Sequence, residues 1–97
     1  MENRDYLIIL YDFYSELLND KQKEYFEDYY FNNYSLSEIS ENYDISRNAV
    51  HKNIKSIEEK LLFYEEKLKL YYKKGLLKEY ISKIDDNNIR DKINELY

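Results

Sequence analysis

Arg47, Asn48, His51, Lys52 and Lys55 stand at intervals of one, three, one and three. On a helix that spacing gathers them toward one side. Arginine and lysine neutralise phosphates, and arginine and asparagine also read base edges, so the group suits a nucleic acid or a protein partner. The rest of the chain offers little reactive chemistry. His51 is the only histidine and there is no cysteine, whereas a zinc site needs three or four such ligands; no metal or cofactor is expected. The twenty acidic residues fall mostly on polar helical faces and read as solvated charge. There is no glycine-rich phosphate loop and no nucleophile with a partner base, so the chain is expected not to be an enzyme. Most of the thirteen tyrosines lie at helix-core spacing, which favours buried rings with boundary hydroxyls over stacking platforms for bases.

These side chains must be carried by helices. Proline is absent and Gly75 is the only glycine, which argues against a sheet with many tight turns. Leu7, Leu10, Tyr11, Tyr14, Leu17 and Leu18 form the apolar face of a first helix over about 4–18. Asn19 and Gln22 make a capping box for a second, with Tyr25, Phe26, Tyr29 and Tyr30 inward, ending at Asn32-Asn33. Ser35 and Glu38 make another box for a short third helix, and Ser46 caps a fourth. Residues 35–54 therefore read as a helix-turn-helix, with Leu36, Ile39, Ile45, Val50 and Ile54 inside and the five polar residues outside. Asp44 stands at the corner where glycine commonly adopts the left-handed conformation, which aspartate tolerates at small cost.

The fourth helix is expected to be long, about 47–74, with Gly75 as its C-terminal cap. Val50, Ile54, Ile57, Leu61, Tyr64, Leu68 and Tyr71 alternate at four and three along it, a heptad seam. Its distal part, Ile57, Leu61, Tyr64, Leu68 and Tyr71, is the expected homodimer contact, with packing inside one chain as the alternative. Further helices follow over 76–96, interrupted by the polar run 85–88. The fold class is all-α, one domain over 1–97.

Composition sets the wider frame. Residues 1–45 carry eleven acidic and three basic residues, and residues 46–97 nine acidic and twelve basic. A nucleic acid could approach from the back half only. If Arg47, Lys52 and Lys55 all met phosphates of B-DNA, the salt slope would be only about −2.7, that of a weak binder. The stretch MENRDYL lacks the basic and apolar regions of a signal peptide, and no run is apolar enough to span a bilayer. With no cysteine, a reducing, cytoplasmic setting is expected.

The motif Ser35-Leu-Ser-Glu-Ile-Ser-Glu-Asn-Tyr-Asp-Ile-Ser-Arg-Asn-Ala-Val50 resembles the helix-turn-helix of region 4 of bacterial sigma factors. Taken with Leu10 to Leu18, Lys21 to Tyr25, Asn53 to Leu62 and Tyr64 to Leu68, the chain resembles the YlxM family of Gram-positive bacteria and mycoplasmas over residues 6–75. Members are typically encoded beside signal recognition particle genes. The resemblance implies a regulatory role in that targeting pathway, through the particle's GTPase or RNA. A DNA-binding transcriptional regulator using the helix from Arg47 is the alternative.

Overall fold

The structure is a computed structural model and describes residues 4–96. Part of the stretch read for a signal peptide, and both ends of the expected 1–97 domain, lie outside the described residues. The described chain is helical throughout, without a strand: α1 (Arg4–Tyr14), continued by a 3-10 turn (Ser15–Leu17), α2 (Asp20–Tyr30), α3 (Leu36–Tyr43), α4 (Arg47–Leu68), α5 (Leu70–Ile81) and α6 (Asn87–Asn94). Both expected capping boxes form. The Asn19 side chain accepts from the Gln22 amide at 2.8 Å while Gln22 Oε1 accepts from the Asn19 amide at 3.0 Å. Ser35 and Glu38 reciprocate in the same way. Each box satisfies amides that the helical ladder leaves without a partner.

The first helix ends earlier than its apolar spacing suggests. The tighter 3-10 turn has 3.0 rather than 3.6 residues per turn, which rotates Leu17 off the stripe. Leu17 is exposed and Leu18 buried. At the far end of α2, Asn33 adopts a left-handed conformation, so the helix stops where the asparagine pair places it.

One core joins α1 to α4. It contains Leu7, Leu10 and Tyr14 from α1, Phe26 and Tyr30 from α2, Ile39 from α3, and Val50, Ile54, Ile57 and Leu61 from α4. Around it, four tyrosine hydroxyls donate to carboxylates on other helices: Tyr11 to Glu27, Tyr14 to Glu65, Tyr30 to Glu58 and Tyr43 to Asp28. The rings enter the core and the phenols find acceptors at its edge. These acids are thus partly structural, a correction to their reading as solvated charge. Burial, then the carboxylate bond, raises all four phenol pKa values above the ordinary tyrosine range, that of Tyr14 to about 12.

The long helix over 47–74 is overturned. Lys69 is left-handed (φ 55°, ψ 35°) and separates α4 from α5, and Gly75 lies inside α5 rather than capping anything. The cause is a polar knot built around Glu65. Its buried carboxylate accepts from the Tyr14 hydroxyl at 2.5 Å and from the Tyr71 and Tyr72 amides at 3.2 Å each, while the Tyr14 oxygen accepts from the Leu70 amide at 3.0 Å. The first amides of a new helix are thereby satisfied from outside it, which makes a break at Lys69 affordable.

The expected dimer seam is divided by the same geometry. Ile57 and Leu61 are buried inside one chain and Tyr64 packs against that core, whereas Leu68 and Tyr71 are exposed. No continuous stripe over 57–71 faces outward. Beyond the break, α5 and α6 extend as an arm. The described chain measures 57 × 21 × 21 Å with a radius of gyration of 17.4 Å, against about 12.5 Å for a compact domain of this length. Among the described residues, no helix is long and apolar enough to cross a membrane.

Candidate functional site

The corner between α3 and α4 is made by local chemistry. Asp44 takes the left-handed conformation (φ 53°, ψ 47°) with its amide donating to the Ser40 carbonyl. The Ile45 amide donates to the same carbonyl at 3.1 Å. Ser46 then caps α4, its Oγ accepting from the Ala49 amide at 3.0 Å. Ile39 and Val50 are fully buried, Ile54 nearly so, and Leu36 and Ile45 pack half-buried at the edge. The short α3 locked against the first turns of α4 in this way leaves one side of α4 outward.

That side holds the residues singled out by spacing. Arg47, Asn48, His51, Lys52 and Lys55 are all exposed. Among the described residues, none of the three cations is in an ion pair. Their charge is directed at solvent rather than used within the fold. The first turn of α4 has no acidic residue and begins with Arg47, whereas α1, α2 and α3 each place an acid there. A cation at the positive end of a helix is unfavourable by a few tenths of a kcal/mol to about 1 kcal/mol. Arg47 and the α4 dipole together attract an anion to this end.

Arg47, Asn48 and His51 form one wall of a shallow groove of about 390 Å³ whose apolar wall is Leu36. A smaller recess beside it is lined by Tyr29, Leu36, His51, Ile54, Lys55 and Glu58. Spacing assigns Tyr29 and Leu36 to the core alone; the half-buried position of Leu36 on the groove and of Tyr29 on the recess depends on how α2 and α3 cross α4, which periodicity does not encode. Glu58 adds a negative charge at the far rim, already accepting from Tyr30. The surface is thus cationic toward the corner and mixed further along α4. It can hold a phosphate or carboxylate near Arg47 and an apolar group against Leu36. Among the described residues, no group of three or more histidines, cysteines or acids could hold a metal.

Comparison with known proteins agrees with this architecture. A family model described as YlxM/p13-like helix-turn-helix protein, UPF0122, matches residues 1–96. A UPF0122 protein of Malacoplasma penetrans is 47% identical over 87 residues, covering 90% of this chain and 81% of that protein. One from Caldanaerobacter subterraneus is 52% identical over 81 residues, covering 84% of this chain and 69% of its own length. A Listeria monocytogenes relative is 48% identical over 79 residues, and the match spans 66% of it. The chain belongs to the UPF0122 family of YlxM/p13-like helix-turn-helix proteins.

Proposed function

We propose that this chain is a non-enzymatic cytoplasmic regulator that uses the outward side of α4 to contact the RNA or the GTPase of the signal recognition particle. The observation that carries the reading is the set of exposed cations Arg47, Lys52 and Lys55, unpaired among the described residues, beside the Leu36 groove. The targeting pathway itself rests on the resemblance to YlxM proteins. The acidic front half of the chain weighs against wrapping a long nucleic acid and favours a small contact made at one end. A second reading, sequence-dependent DNA binding, is favoured by one feature: α4 starts at the corner with Arg47, Asn48 and His51 in its first turns, where recognition helices present base-reading side chains.

Fluorescence titration of the labelled chain against the particle RNA, the particle GTPase and random duplex DNA at two salt concentrations separates these readings. The proposal expects RNA or GTPase binding that Arg47→Glu weakens at least about tenfold, through loss of one charge-assisted contact and addition of a repulsion. Binding to duplex DNA alone, lost on the same substitution, would replace it with the second reading.

A further inference from the structure

The break between α4 and α5 is held open by a small set of bonds. Lys69 sits in the left-handed region (φ 55°, ψ 35°), which an L-side chain disfavours about tenfold relative to the right-handed helix. The chain's only glycine, Gly75, lies further on, inside α5. On either side of the break the ladder is already helical. The Lys69 amide donates to the Glu65 carbonyl at 2.9 Å, and the Lys73 amide donates to the Lys69 carbonyl at 2.8 Å. The three amides between them depart from it. Leu70 donates to the Tyr14 hydroxyl oxygen at 3.0 Å, and Tyr71 and Tyr72 donate to the Glu65 carboxylate at 3.2 Å each. In a continuous helix the same three amides reach the carbonyls of Glu66, Lys67 and Leu68, all exposed residues. Turning Lys69 alone into the right-handed region thus exchanges three acceptors for three and strands no amide.

Two further observations agree. The spacing Leu61, Tyr64, Leu68, Tyr71 runs across the break without a skip, as on one unbroken helix. In the bent arrangement α5 lies over an apolar face of α1. The Tyr71 ring stands 5.9 Å from that of Phe13 and 6.1 Å from that of Tyr6, and the Lys74 ammonium lies 5.5 Å over Phe13. The groove of about 500 Å³ that Ile9 and Phe13 share with Tyr71 exists only while α5 stays there. We infer that Lys69 is a one-residue hinge with two packed states. In the bent state α5 straps across Ile9 and Phe13, latched by Tyr14 and Glu65. In the straight state α4 and α5 form one helix over 47–81, and that face of α1 is bare. The ring contacts and the latch favour the bent state; the backbone preference of Lys69 favours the straight one. A packed element with two discrete arrangements is what conformational switches are built from.

The exposed position of Lys69 permits a test that leaves the core intact. Wild type, Lys69→Gly, Lys69→Ile and Tyr14→Phe chains are isotopically labelled and compared by NMR. Glycine accepts the left-handed region freely, whereas a β-branched side chain excludes it. Wild type and Lys69→Gly are expected to show left-handed Cα shifts at position 69 and Overhauser contacts from Tyr71 to Phe13 and Tyr6. Lys69→Ile is expected to show right-handed shifts there, unbroken contacts between Hα of residue i and the amide of i+3 over 65–73, and at least about a tenfold loss of the Tyr71 contacts. Tyr14→Phe, which removes one acceptor and one donor of the latch, is expected to move the same way, and adding Lys69→Gly to it restores the bend. A Lys69→Ile chain that stays left-handed overturns the inference, since packing alone then fixes the break. So does one whose residues 70–81 lose their helical shifts, because α5 would then be a helix only against α1. A Tyr14→Phe chain that keeps the Tyr71 contacts in full also overturns it.

Discussion

Glu65 is the residue on which the shape of the chain turns. Among the described residues it has no ion-pair partner; its carboxylate is held by the Tyr14 hydroxyl and by two amides of the next helix. Glu65→Ala strands those three donors. Since each buried unsatisfied donor costs about 1–3 kcal/mol, and relaxation and water recover part of the sum, a loss of about 2–4 kcal/mol is expected in urea denaturation. An unchanged midpoint would show the knot to be decorative. The tyrosines supply a second prediction. Burial and then the Glu65 bond raise the Tyr14 pKa from 10.0 to about 12, so the folded state holds a proton that the unfolded state releases sooner. Stability from this group is complete below about pH 10 and declines as pH rises toward 12. Tyr11, Tyr30 and Tyr43 are shifted in the same direction. The denaturation midpoint is therefore expected to be lower at about pH 11 than at about pH 8, and a flat profile would contradict the phenol–carboxylate pairs.

At the scale of elements, what was legible in the sequence was local. Asn19 with Gln22, Ser35 with Glu38, and Ser46 lie within three residues of the amides they satisfy, so capping signals alone locate three helix starts. Asp44 likewise fixes the corner through its own backbone. The break at Lys69 was not legible. The groups that stabilise it include Tyr14, 51 residues from Glu65 and 56 from Leu70, and an uninterrupted run of helix-forming residues hides it. The seam was misread for a related reason. A heptad spacing on one helix does not say whether its partner lies in the same chain, and α1 and α2 supply that partner here. Leu61, fully buried, belongs to the fold. Leu61→Ala is expected to cost about 2–5 kcal/mol of unfolding free energy. If calorimetry found the monomer unaffected, Leu61 would have to face a second chain after all.

Over the whole molecule, charge and apolar surface are distributed in three zones. Acidic residues of both halves, Glu27 and Asp28 in the front and Glu58 and Glu65 in the back, accept from tyrosine hydroxyls around the core. The corner directs Arg47, Lys52 and Lys55 outward, and the arm carries apolar side chains that the core does not cover, Tyr72, Tyr80 and Leu96 among them. The outward direction of the candidate face followed from spacing. Its groove and the recess beside it did not, because Leu36 and Tyr29 reach them only through the crossing of three helices. The claim on which this account depends is that the α4 face at the corner is where the partner lands. Backbone amide shifts of isotopically labelled chain, followed by NMR during titration with the particle RNA or GTPase, test it residue by residue. Perturbations are expected to concentrate on Arg47, Asn48, His51, Lys52 and Lys55, with Leu36 at their edge. Perturbations confined to α5 and α6, with residues 47–55 unmoved at saturation, would contradict it.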